Sequence, residues 1–157
     1  MVRQTLVAFV LVSINVSIHA FGMVALSKWI IRRRSWIEKN FGAWGEVRLL
    51  IRIFAVIVSL HLAQICVWAV FYTLWGGIGD FETALYFSIT SYTTIGYGDV
   101  LLPPRWRLLG GIEGVTGVLM FGWSTGAIFA VASRLLTIQT ERNRNPTDQR
   151  VELGGKE

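Results

Sequence analysis

Three long apolar runs divide the chain, over residues 6–31, 49–75 and 107–136. A helix rises about 1.5 Å per residue, so roughly 20 apolar residues cross the hydrocarbon layer of a bilayer. Each run meets that length and predicts a transmembrane helix. The first has Arg3 before it, and Ile18-His19-Ala20 faintly resembles a cleavage site. It is nevertheless too long for a signal-peptide core and stops at Arg32-Arg33-Arg34, a stop-transfer pattern, so it is read as a retained span. Between the second and third runs, Gly76-Gly77-Ile78-Gly79 makes a tight connector. Residues 80–92 then read as a short helix, with Asp80 as its cap and Glu82 in its first turn. Such a helix cannot span, so it is expected to re-enter the membrane and be buried in protein.

The remaining segments are polar. Residues 32–48 hold Arg32, Arg33, Arg34, Lys39 and Arg48 against Glu38 and Glu46, with Trp36, Phe41 and Trp44 interleaved. A solvated loop and a short interfacial helix both fit, because Gly42 and Gly45 weigh against the helix that the aromatics favour. Residues 99–105 form a loop stiffened by Pro103-Pro104. The tail, residues 137–157, predicts a frayed helix end followed by disorder.

Composition agrees with the pattern. Only 16% of the 157 residues are charged, against about a quarter in soluble domains. Seven Trp and four Tyr suit the aromatic belts of bilayer interfaces, and Trp68, Tyr72 and Trp75 gather at one end of the second span. The net charge of +5 is clustered at span ends, which argues against nucleic acid as a partner. Basic residues fill the first connection and follow the third span at Arg134, Arg142 and Arg144. By the positive-inside rule those two segments are cytoplasmic, which leaves the N-terminus and the loop between spans two and three outside. No Ser/His/Asp arrangement, metal-ligand cluster or phosphate loop points to an enzyme, and no cofactor is expected.

The outer loop carries the most specific stretch, Thr93-Thr94-Ile95-Gly96-Tyr97-Gly98-Asp99. Two glycines spaced by one bulky residue allow φ > 0 at alternate positions. Successive carbonyls can then face one side of an extended chain, and four copies around an axis would stack rings of oxygen. Those rings and the Thr94 hydroxyls can stand in for the water shell of a dehydrated monovalent cation.

With a helical stretch before it and apolar spans on both sides, this string resembles the selectivity filter of potassium channels. Residues 49–136 resemble the pore module of that family: outer helix 49–75, pore helix 80–92, filter 93–99 and inner helix 107–136. The extra first span makes the chain similar to a prokaryotic three-span member. The resemblance implies an all-α membrane protein, a homotetramer around one central pore, passing K⁺ passively in the cell membrane among its lipids. It implies Thr94, Ile95, Gly96, Tyr97 and Gly98 as the ion-coordinating residues, Thr93 beside them as filter support, and Asp99 as the acidic residue of the outer mouth. Thr90 stands where some relatives place a glutamate that pairs with that aspartate, so the family's inactivation behaviour does not carry over. No run of spaced arginines lies inside a span, so the usual voltage sensor is missing.

Several further residues carry expectations. Tyr86 and Phe87 should help form an aromatic cuff around Tyr97. Glu113, inside the third span, should hydrogen-bond pore-helix hydroxyls such as Ser88 or Ser91 and steady the filter, or else serve packing alone. His19 and His61 fall near mid-span, where they could form a proton-sensing pair or ordinary interhelical hydrogen bonds. Gly117 and Gly122 are candidate hinges or close-packing positions.

Overall fold

The computed structural model describes residues 2–33 and 43–154, and every regular element among them is helical. Helix α1 covers Val2–Arg32 and α2 covers Ala43–Phe71, continuing into a π-helical turn over Tyr72–Gly76. Helix α3 covers Phe81–Tyr92 and α4 covers Arg107–Gly154. Three stretches are long and apolar enough to cross a membrane: Val2–Arg32, Trp44–Gly76 and Arg107–Thr137. The protein is therefore an all-helical membrane protein. Large apolar side chains such as Phe9, Phe21, Phe54 and Leu62 stand exposed on the spans, as a lipid-facing surface requires. Arg34, Trp36, Glu38, Lys39, Phe41 and Gly42 lie outside the described residues, and with them most of the segment expected to be a loop or an interfacial helix.

The chain forms two compact units, Met1–Trp123 and Ser124–Glu157. The second is the continuation of α4. The apolar pattern ends the inner helix at residue 136 and leaves a disordered tail, whereas α4 runs on to Gly154. Apolar periodicity reports burial, not helicity. Once a helix exists, each further residue adds a hydrogen bond at little cost, and Gln139, Glu141 and Arg142 are good helix formers. The Thr137 and Thr140 hydroxyls also donate to the carbonyls of Ser133 and Leu136, at 3.1 and 3.0 Å.

In the first unit α2 is central and packs against both α1 and α3. Trp68, Tyr72, Tyr92 and Leu109 are wholly buried. Aromatic rings meet edge to face, Phe71 on Trp106 at 5.4 Å and Tyr72 on Phe87 at 5.2 Å. Such pairs contribute about 0.5–1.5 kcal/mol beyond their burial. Trp68 and Tyr72 are thus core residues rather than an interface belt, while Trp75 remains 59% exposed. The π-helical turn ends at Gly77, whose left-handed φ of 86° lets its N–H return to the Tyr72 carbonyl. On the α1 side, Gly22 permits close approach, since a Cβ there would lie 2.3 Å from a Leu60 methyl carbon.

Helix α3 has 12 residues and is capped as its sequence predicts. Asp80 is extended, and its Oδ1 accepts the Thr83 N–H at 2.8 Å. Accepting that amide holds the Asp80 carboxyl below its ordinary range. The cap's stabilisation is therefore present above the usual aspartate value of about 3.9 and is lost as pH falls through the depressed folded value. Amide exchange at Thr83, measured relative to Ile89, should rise several-fold as pH drops through that window. In Asp80→Ala the same excess should appear at every pH; equal Thr83 protection in the variant would refute the cap.

Candidate functional site

The C-terminal end of α3 and the extended chain after it form the site. The Thr93 N–H donates to the Ile89 carbonyl at 3.0 Å, and the Thr94 N–H to that of Ser91 at 3.0 Å. The Gly96 N–H reaches back to the Thr90 carbonyl at 3.1 Å. These bonds tether the start of the extended run to the helix end. Backbone hand then alternates: φ is +61° at Thr94, +54° at Gly96 and +81° at Gly98. Positive φ at the two glycines follows from their spacing. At Thr94 it does not, because a β-branched residue in the left-handed region costs on the order of 1–3 kcal/mol and carries no sequence signal. Ile95 and Tyr97 are 53% and 71% exposed.

Asp99 is held by its own segment and by α3. Its Oδ1 accepts the Val100 N–H at 3.1 Å, and its Oδ2 accepts the Tyr86 hydroxyl at 2.8 Å. Donating to that carboxylate raises the Tyr86 phenol above its ordinary range. Thr90 donates to the Phe87 carbonyl at 3.0 Å, so the tie from α3 to Asp99 comes from Tyr86, one turn earlier. Phe87 takes no part in a cuff around Tyr97 within this chain. It is buried on the other side of α3, against Tyr72 and beside Gly110. Helical spacing decides this, since neighbouring residues point about 100° apart.

Glu113 is fully buried, but its hydrogen-bond partner is on the π-helical turn that continues α2. The Tyr72 hydroxyl donates to its Oε2 at 2.9 Å. Ser88 stands near enough to interact electrostatically, yet Ser88 Oγ and Glu113 Oε1 both lack a hydrogen bond. Tyr72, a residue that the apolar pattern assigns to the interface, is therefore the close partner of Glu113, and Ser88, the α3 hydroxyl expected there, stands beside it. His19 and His61 do lie at one level, with ring centroids 5.4 Å apart.

The glycines of α4 differ in what surrounds them. A Cβ at Gly117 would lie 2.0 Å from the Tyr92 carbonyl oxygen, and one at Gly114 3.1 Å from that of Ser91. At Gly122 it would meet nothing within 4 Å. Close approach thus accounts for Gly117, while Gly122 has no such explanation. Alongside this face, Thr90, Thr94, Gly96, Val115 and Leu119 line a cavity of ≈ 480 Å³. Among the described residues, no group of three or more His, Cys, Asp or Glu side chains could hold a metal ion.

A family model described as "Ion channel" matches residues 56–134, half of the chain. The chain belongs to this ion channel family. The match starts within α2, takes in the π-helical turn, α3 and the extended run, and ends within α4; α1 lies outside it. No curated protein and no solved structure matches the chain significantly.

The two glycines should respond differently to alanine. Gly117→Ala forces its methyl into backbone and should lower thermal stability in detergent or lipid. Gly122→Ala should be neutral or gain about 0.5–1 kcal/mol of helix stability. Equal melting temperatures for wild type and Gly117→Ala would show that the close approach does not matter.

Proposed function

We propose that this ion channel is a potassium-selective, passively conducting homotetramer with residues 93–99 as its filter. One observation carries the reading: left-handed backbone recurs at Thr94, Gly96 and Gly98 along an exposed run. That alternation suits a chain whose carbonyls converge on one axis. In this reading the carbonyls of Thr94, Ile95, Gly96 and Tyr97, with the Thr94 hydroxyl, replace the hydration shell of K⁺, and Gly98 completes the outer end. Ions then pass by knock-on between adjacent sites. Thr93, Asp99 and Tyr86 support the filter directly, and Phe87 and Glu113 support it through Tyr72. Helix α3 re-enters the membrane, and its C-terminal end, the negative end of its dipole, faces the waiting cation.

The tetramer is supported by the exposure of Ile95 and Tyr97 on the extended run and of Val115, Val118 and Leu119 along the cavity. In a fourfold assembly neighbouring copies cover these side chains. Gly122, without a packing neighbour, is the preferred hinge of the inner helix. The charge pattern favours a cell-membrane protein, of the prokaryotic inner-membrane kind, with its C-terminal tail cytoplasmic and its filter mouth outside.

Flux from liposomes with K⁺, Rb⁺ or Na⁺ as the only permeant ion tests the reading. K⁺ and Rb⁺ flux should exceed Na⁺ flux by at least about tenfold, which corresponds to about 1.4 kcal/mol between the ions. Equal K⁺ and Na⁺ flux would leave a non-selective cation channel, and no flux a non-conducting membrane subunit. Single-channel recording of Glu113→Gln should show lowered open probability; unchanged selectivity and gating would remove Glu113 from filter support.

A further inference from the structure

Four polar side chains meet deep in the first unit. His19 on α1, His61 and Gln64 on α2 and Tyr92 at the end of α3 are each at most 8% exposed. They form one hydrogen-bonded chain. The Tyr92 hydroxyl donates to Gln64 Oε1 at 2.5 Å. A hydroxyl has a single proton, so Tyr92 accepts from His61 Nδ1, 3.1 Å away. Gln64 Nε2 can only donate, so His19 Nδ1, at 3.0 Å, accepts. Aromatic rings enclose the chain: Phe121 lies 4.7 Å from the His61 ring and Trp123 5.2 Å from the His19 ring.

An amide inside an apolar helix bundle is costly unless both its ends are paired. Gln64 spends one end on α1 and the other on α3. Its partner Tyr92 is the last residue of α3, followed directly by Thr93 and Thr94. The carbonyl of Tyr92 is pressed by Gly117 of α4, and its hydroxyl is held by α2. The residue before the filter is therefore gripped at both ends, and one grip continues to α1.

We propose that α1 positions the filter segment through the chain His19–Gln64–Tyr92, with His19 and Gln64 as positioning residues. The proposal deepens the filter reading and gives the extra span a role. With the chain intact, Tyr92 cannot rotate about the α3 axis, and the tethers from Thr94 to Ser91 and from Gly96 to Thr90 keep their geometry. With His19 removed, Gln64 loses an acceptor and its amide can turn away from Tyr92.

The test uses the full chain in lipid nanodiscs, with two readouts. Amide exchange over residues 93–98 is measured against Thr83 at the far end of α3, and the K⁺/Na⁺ permeability ratio is measured in bilayers. His19→Leu and Gln64→Leu should each speed exchange over residues 93–98 by at least about threefold, as expected for one lost hydrogen bond, and leave Thr83 unchanged. Both should lower the K⁺/Na⁺ ratio, and the double variant should be no worse than either single. His19→Asn, whose side-chain oxygen sits where Nδ1 does, should restore wild-type exchange. If Gln64→Leu fails to assemble, Tyr92→Phe removes only the hydroxyl and supplies the same readout. Wild-type exchange over residues 93–98 in His19→Leu, or equal acceleration at Thr83, would overturn the proposal. A wild-type protein without K⁺ selectivity would refute the filter reading, while the exchange comparison would still decide whether α1 is coupled to residues 93–98.

Discussion

Tyr92 is the point on which the first unit depends. It is wholly buried, it ends α3, and two other helices meet it directly, a third through one of them. Its hydroxyl is bonded into α2 and through α2 to α1, and its carbonyl is met by a glycine of α4. The underlying constraint is the lack of water in an apolar environment. Every polar group placed there must find a protein partner, and each such partner fixes one helix against another. Packing alone gives a helix bundle some freedom to rotate and slide. A hydrogen bond between named atoms removes it.

Two polar connections flank α3 on this principle. Near the middle of α3, Tyr72 bonds Glu113 and meets Phe87 edge to face, linking α2, α4 and α3. At its end, Gln64 bonds Tyr92 and His19. The turn that throws the chain out of α3 into alternating backbone hand follows directly on Tyr92. Thr94 in the left-handed region holds strain that only a well-fixed helix end can sustain. The family match begins inside α2 and omits α1, yet α1 shares in the second connection. The span outside the shared module is thus bonded to the part of the module that the filter reading needs held still.

Much of this was legible beforehand. Three apolar runs predict three spans, because length and hydropathy decide insertion before any packing exists. Asp80 announces its cap, and Gly96 and Gly98 announce positive φ, because these are properties of one residue and its neighbours. The pairing of Glu113 was not legible. A buried carboxylate demands a donor, but Tyr72, Ser88 and Ser91 all satisfy the demand on paper, and helix rotation chose Tyr72. Phe87 and Tyr86 likewise look alike in sequence, although α3 turns one into the core and the other to Asp99.

The sequence by itself determined the spans, the short capped helix, the glycine-paced run and membership of a membrane class, since each follows from local conformational preference or from transfer out of water. Tertiary structure alone decided which polar atoms meet. It made Gln64 a link rather than a stray amide, turned Gly117 into a contact with a carbonyl, and moved Trp68 and Tyr72 from an expected belt into the core. The physical reason is that contacts between helices depend on their rotation and register, which a pattern repeating every few residues leaves free.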